Sequence, residues 1–409
     1  MYNKDKHILI LNRSFWPDIE ATGQFLTELC ERLAKSYRIT VIAGRSYYVR
    51  KEAFKPRRFY CKETFNGIEI LRVRHTKFWK ANTFSRMINW MTYGILAFIA
   101  ALRIKSHLII ACTDPPFLGI IVMLIARLRH IPFIYNCRDL YPDTVLVLGK
   151  LRKGFISNFF DYLNKKALSA ACFVVCLGAS MKDRLIEKGV PDSHIRVIPD
   201  WVDTSVINPV PKSDNPLFAK LGLNNKFIIM YSGNIGFSQD FNSILNSIAM
   251  IGNRSRFDLV FVGEGVTKEN LKEQSRKLGL ENIFFLPYQP LDMLSFSLSM
   301  ADLHIVLLKK GLSGMIVPSK VYGIMAAARP YLAITDIDSE PARMAKEFSC
   351  GLWTAPDDIE AIAKTLEWAL NHPSELEEMG KRGRQIAEMM FDKRLIIKEW
   401  FRTLDEKGI

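Results

Sequence analysis

Apolar runs of strand length alternate with helix-length segments along nearly the whole chain, and the alternation begins afresh after a proline-containing break. In the first half, strands are expected at residues 7–12, 38–43, 68–73, 108–112, 133–137, 172–176 and 195–198. Helices are expected between them at 23–36, within 77–103, and at 118–129, 155–168 and 179–188. Residues 208–225 carry three prolines and several polar side chains and read as a linker. The pattern then resumes with strands at 227–231, 258–262, 283–286, 303–308 and 331–334. Its helices are expected at 241–251, 268–278, 292–300, 359–371 and 373–390, with a last amphipathic one at 393–407. Strands this evenly apolar belong to parallel sheets covered on both faces. The expected fold class is α/β: two Rossmann-like domains in series with a cleft between them, residues 1–207 and 208–390. The 409 residues suffice for two cores.

The formal net charge of +14 points to polyanionic partners. Nucleic acid is set aside, because no block of Lys and Arg and no zinc-finger, RRM or KH signature occurs. That leaves anionic lipid and phosphorylated substrates. Seven cysteines, an odd number in mostly apolar settings, read as reduced thiols of a cytosolic protein. Residues 1–7 are polar and lead straight into a strand, so no signal peptide is expected. Residues 87–102 are very apolar but fall short of the ~20 needed to cross a bilayer. The expected location is therefore cytoplasmic, peripheral on the inner face of the plasma membrane.

The stretch 313–334 combines a loop, a helix of small residues and an apolar strand, with Ser319 and Lys320 at the helix start. A lysine there opposes the helix dipole unless an anion answers it. Two glycine turns follow strands, Ser232-Gly-Asn-Ile-Gly236 and Gly263-Glu-Gly265. Each reads either as an anion-facing turn or as an ordinary βα connection that uses Gly for positive φ. The first turn of the chain lacks the G-x-G-x-x-G fingerprint and reads as a cleft wall. Asp18, Glu20, Asp139 and Asp143 fall at strand ends, where one carboxylate is placed to orient or deprotonate an acceptor hydroxyl, with Arg138 beside them. Lys77, Phe78, Trp79, Lys80, Arg86 and Trp90 mix basic and aromatic character, as do Phe155, Phe159 and Phe160 near Lys150, Arg152 and Lys153. That mixture suits an interfacial membrane contact, or a core helix with a solvated basic rim.

Together these segments resemble a family. Phe15-Trp-Pro-Asp-Ile-Glu-Ala-Thr-Gly-Gln24, Thr113-Asp-Pro-Pro116, Arg138-Asp-Leu-Tyr-Pro142, Ile198-Pro-Asp-Trp-Val-Asp203, the two glycine turns and Val317-Pro-Ser-Lys-Val-Tyr-Gly323 stand in the order found in family 4 glycosyltransferases of the GT-B fold. Within that family the chain is most similar to the WbuB-type transferases that add N-acetyl-fucosamine-like amino sugars to a lipid-linked precursor of bacterial surface polysaccharide. The resemblance implies a UDP-sugar donor on the second domain and a polyprenyl-diphosphate-linked acceptor on the first. It implies transfer with retention, no metal, and a C-terminal helix, 391–409, that crosses back to the first domain. It implies Lys320 as the group that neutralises the diphosphate; Asp18, Asp139 and Arg138, from their places at strand ends, are the other expected catalytic groups. Thr22, Gly23, Gly233, Asn234, Gly236, Gly263, Glu264, Ser319 and Glu340 would contact the donor. Lys77, Trp79, Lys80, Arg86 and Trp90 would meet acceptor or membrane.

The chain departs from the family pattern in places. Met315 and Gly323 stand where a pair of glutamates is usual, Asn234 and Gln239 where Arg and Lys are usual, and Arg138 where His is usual. Lys320 then carries more of the diphosphate charge. Two other classes of reading stay open at this point: a nucleotide-sugar epimerase of similar shape, and a binding protein that kept the fold without its chemistry.

Overall fold

A computed structural model describes residues 5–18, 20–46, 59–78, 83–221 and 226–408. They fall into two compact units. One gathers residues 1–177, 181–198 and 397–409; the other gathers 178–180 and 199–396.

The first unit opens with β1 (His7–Leu11), α1 (Ala21–Leu33) and β2 (Arg38–Ala43). β3 (Tyr60–Phe65) and β4 (Ile68–Val73) follow, then α2 (Thr83–Ala101), β5 (Leu108–Ala111), α3 (Leu118–Arg129) and β6 (Phe133–Asn136). The unit continues with α4 (Asp143–Val147), α5 (Phe155–Ala170), β7 (Phe173–Cys176), α6 (Ala179–Glu187) and β8 (Ile195–Val197). The sheet order is β3-β4-β2-β1-β5-β6-β7-β8. Every pairing is parallel except β3 with β4. β3 lies inside what reads as a polar stretch, since an edge strand alternates exposed Lys62 and Thr64 with half-buried neighbours. Its signal is the two-residue turn Asn66-Gly67, both at positive φ, the chemistry of a tight hairpin.

The second unit holds α7 (Pro216–Leu221), β9 (Phe227–Ser232), α8 (Phe241–Met250), β10 (Phe257–Val262), α9 (Lys268–Lys277), β11 (Ile283–Leu286), α10 (Leu294–Ser299) and β12 (Leu303–Leu307). It closes with α11 (Lys320–Ala326), β13 (Tyr331–Ile334), α12 (Glu340–Phe348), β14 (Gly351–Thr354), α13 (Ile359–Asn371), α14 (Pro373–Met390) and α15 (Lys393–Asp405). Its sheet is wholly parallel, in the order β11-β10-β9-β12-β13-β14. α12 and β14 escape a sequence reading because β14 is a four-residue, partly exposed edge strand. α12 is announced only by its Ser339 cap and Pro341.

The described part of the expected linker, residues 208–221, is packed structure of the second unit. Val210 N donates to Ser299 Oγ at 3.0 Å and Asn208 N to Ser295 Oγ at 3.1 Å. Upstream, Val202 N donates to Phe391 O and Lys393 N to Val202 O, both at 2.9 Å. These bonds tie residues 199–207 to the second unit, so the units part at 198/199 rather than 207/208. They part again at 396/397, within α15. The later part of α15 belongs to the first unit: Phe401 stacks on Tyr37 at 6.0 Å, and Arg196 pairs with Glu406 at 2.5 Å. None of the seven cysteines is bonded to another.

Candidate functional site

With β9 as its first strand, the second sheet runs 3-2-1-4-5-6, the order whose topological switch point opens a ligand crevice at the strands' carboxyl ends. The switch lies between β9 and β12. These two pair at only two positions, Leu303 with Ile229 and His304 with Met230, and then diverge. The loop after β9 carries Gly233; the loop after β12 leads to Lys320.

Lys320 dominates this crevice. The residue as a whole is half-buried, but its Nζ is withdrawn from solvent and has no hydrogen-bond partner. It sits 3.6 Å from the centroid of the Tyr231 ring, a cation–π contact that compensates only part of the lost hydration. Burial pulls its pKa down to about 7. Tyr231 is fully buried, and its hydroxyl donates to Asn234 O at 2.6 Å, which fixes the ring beneath the lysine. A buried ammonium without a counter-charge is costly, and such a group is retained where something outside the resting protein answers it. Ser313 Oγ, in the same loop, is a second buried polar atom with no partner.

The glycine turns work differently from the anion-facing reading. Gly233 N donates to Val262 O and Ile235 N to Glu264 O, both at 2.9 Å, and Gly236 N donates to Gln239 Oε1 at 3.1 Å. The amides of Gly233, Ile235 and Gly236 are therefore already used. The glycines serve close approach instead. A Cβ at Gly263 would lie 2.0 Å from Gly233 O, and one at Gly233, where φ is +138°, would lie 3.0 Å from Lys320 Nζ. Two loops are thus pressed backbone to backbone, with the lysine ammonium against Gly233. Glu264 is exposed and pairs with Lys268 at 2.7 Å. Ser319 precedes α11 without capping it. Glu340 Oε1 accepts from Ser180 N at 2.9 Å and Ser180 Oγ at 3.0 Å, within the second unit.

The first sheet has its own switch point, between β1 and β5. Asp18 is buried there. Its Oδ2 accepts from Ser14 Oγ and Phe15 N, each at 3.2 Å, and its Oδ1 accepts from Ser46 Oγ. Both oxygens hold loops in place, the work of a positioning carboxylate. Thr22 and Gly23 lie in the first turn of α1, which starts two residues before the expected helix and carries no side-chain cap. A Cβ at Gly23 would meet Ser14 Oγ at 2.9 Å. Arg138 stacks over the Phe25 ring at 5.1 Å, and Asp139 is half-buried next to it. Asp143 pairs with Lys188 at 2.6 Å, which also holds Asp161 at 2.8 Å.

Two features of this switch were not read from sequence. Arg13 Nε pairs with Asp114 at 3.0 Å, and burial pushes the Asp114 carboxyl up while Arg13 pulls it back. His75 is buried, and burial, aided by Arg13, lowers its pKa to about 4. Its Nε2 accepts from Arg45 N at 3.1 Å, so Nδ1 carries the proton and donates to Thr76 O at 2.6 Å. The signal for the first pair was Asp114 in the Thr113-Asp-Pro-Pro segment; nothing in the sequence marked His75. Lys77 and Arg86 are exposed and Trp90 is half-buried, with Arg86 stacked on Trp90 at 5.2 Å. Lys77 Nζ donates to Ser46 O. Trp79 and Lys80 lie outside the described residues.

Comparison with known proteins decides the family. The description Glycosyltransferase Family 4 matches residues 22–206, and Glycosyl transferases group 1 matches residues 213–386. The chain belongs to the glycosyltransferases of the GT-B fold, with a family 4 and a group 1 domain. It is 25% identical to the Escherichia coli (strain K12) glycosyl transferase WcaI, named for colanic acid biosynthesis, over 97% of this chain and 99% of that one. Among solved structures it is similar to sucrose-phosphate synthase of Thermosynechococcus elongatus, with TM-score 0.79, 14% identity and coverage of 98% of this chain and 99% of that one. It is also similar to Anabaena HepE in complex with UDP-glucose, with TM-score 0.74, 14% identity and coverage of 98% and 99%.

Proposed function

We propose that this glycosyltransferase moves a sugar from a UDP-sugar to a lipid-diphosphate-linked acceptor during bacterial surface polysaccharide synthesis. The observation that carries the donor half is Lys320, a buried ammonium with no hydrogen-bond partner at the switch point of the second sheet. A nucleoside diphosphate supplies the missing counter-charge, and as it becomes the leaving group the same ammonium stabilises the growing charge. Support for UDP comes from HepE, solved with UDP-glucose. Support for a polysaccharide pathway comes from WcaI. Retention of configuration, metal independence, an N-acetylated amino or deoxy sugar such as N-acetyl-L-fucosamine, and work at the inner membrane face complete the proposal.

Gly233, Gly263 and Gly265 shape the floor on which the diphosphate lies, and Lys320 answers it. The test is thermal shift with a panel of UDP-sugars, followed by transfer to a polyprenyl-diphosphate saccharide. Ligand at a hundred times its Kd adds ~2.7 kcal/mol. A panel in which no UDP-sugar shifts the melt contradicts the donor assignment.

A further inference from the structure

Three helices of the first unit turn apolar side chains to the outside as well as to the core. α2 buries Asn89, Tyr93, Gly94, Ala97 and Ala101 against its own unit. Its exposed face carries Phe84, Met87, Met91, Ile95 and Ile99, spaced at three and four residues in one continuous stripe. α5 likewise buries Ser157 and Asn164 while Phe155 and Ile156 stand 85% and 75% exposed, with Phe159 beside them. α3, between them, exposes Leu124 and Leu128. The strands β4, β5, β6 and β7 step one way across the sheet, and right-handed crossovers put the three connecting helices in one layer. α2 lies so close on α3 that a Cβ at Gly94 would meet Ile121 at 2.7 Å. Their outer faces therefore form one apolar surface, far beyond the scattered exposed side chains of an ordinary monomer.

Its charge is almost all basic: the one carboxylate on these helices, Asp161 of α5, is half-buried and paired with Lys165 and Lys188. Residues 70–113, 115–138 and 144–160 contain no Asp or Glu. Arg86, Arg103, Arg127, Arg152 and Lys153 stand exposed around the apolar stripe. Among the described residues no helix is long and apolar enough to cross a membrane.

We infer that the outer face of α2, α3 and α5 docks flat on an anionic lipid bilayer, burying its apolar stripe at the headgroup boundary while the arginines and Lys153 meet lipid phosphates. This deepens the membrane part of the proposed function and is independent of its sugar chemistry. Membrane docking of this kind would hold the first unit where a lipid-linked acceptor resides.

The test is co-sedimentation, without nucleotide sugar, with vesicles of phosphatidylcholine alone and of phosphatidylcholine with an equal part of phosphatidylglycerol. Wild type and the Lys320→Ala variant both bind the anionic vesicles and bind the neutral ones far less. The triple variant Ile95→Glu, Phe155→Glu, Phe159→Glu, whose sites are exposed, keeps its melting temperature and loses on the order of a hundredfold in partitioning. Arg152→Glu with Lys153→Glu loses about tenfold or more, and added salt reproduces that loss in wild type. Wild type left in the supernatant with anionic vesicles overturns the inference, as does triple-variant binding equal to wild type. A lipid-free wild-type dimer that the triple variant converts to monomer also overturns it, by making the face a self-interface. Loss of sugar transfer with vesicle binding intact leaves the docking face standing and falls on the donor site alone.

Discussion

The two sheets share a switch-point design and use it differently. At the first, the buried carboxylate Asp18 accepts three hydrogen bonds, and Arg13 and Asp114 answer one another. At the second, the buried ammonium of Lys320 has only the Tyr231 ring. Satisfied charges of the first kind hold loops in fixed positions. An unanswered one stores a demand for an anion. The contrast separates groups that shape a site from groups that act in it, even where both occupy the same place in the fold.

The largest expected effect breaks the second switch. Lys320→Ala is expected to reduce sugar transfer by on the order of 10²–10³-fold, read by initial rates on a UDP-sugar. Lys320→Met is expected to be as inactive yet to raise Tm at pH 7. In wild type the folded pKa of about 7 lies below the ordinary 10.5, so the unfolded chain binds more protons between those values and stability rises with pH across them. Methionine removes that penalty. A drop in Tm would show the ammonium to be satisfied in the resting protein.

At the first switch the expected loss is in stability. Asp18→Ala removes the acceptor shared by the Ser14 hydroxyl, the Phe15 amide and the Ser46 hydroxyl, costing about 2–4 kcal/mol by urea unfolding. Activity per folded molecule should fall far less than in Lys320→Ala; an equal fall would move Asp18 into the chemistry.

A smaller effect sharpens the comparison by treating the sheets alike. His75, just past β4 of the first, and His304, in β12 of the second, are both held neutral by burial, with pKa values lowered to about 4 from 6.5. Each adds stability above pH 6.5 that is lost as pH falls toward 4. Replacing either with an uncharged residue should flatten the acid limb of a Tm–pH curve. The smallest effect comes from Gly233→Ala, which strains a backbone at φ +138° and crowds Lys320 Nζ. It should cost about 1–2 kcal/mol and weaken UDP binding, with the same variant at Gly67, where a Cβ meets open space, leaving UDP binding unchanged.

Much of this fold was legible because parallel strands buried on both faces are written as plain apolar runs. The ranges of β2, β4, β11, β13, α3, α13 and α14 coincide with those read from the sequence. What escaped was carried by edges and by distance. β3 and β14 are edge strands with little apolar pattern. The segment 208–221 looks like a linker locally, and only bonds to Ser295 and Ser299 make it structure. In the site, Lys320 stood out because a lysine among small apolar residues is locally anomalous. The glycine turns were legible as turns, but their use for close packing depends on a partner loop some thirty residues away in the chain. Arg13 and Asp114, 101 residues apart, make a pair that only the folded sheet brings together.

UDP affinity measured by calorimetry from pH 6 to 9, on wild type and Lys320→Met, tests the unanswered lysine most directly. Wild-type binding should tighten as pH falls through about 7 and be accompanied by proton uptake, while the methionine variant binds weakly with no such trend. Equal affinity for the two proteins across that range, with no proton taken up, would contradict the assignment of Lys320 as the group that receives the diphosphate.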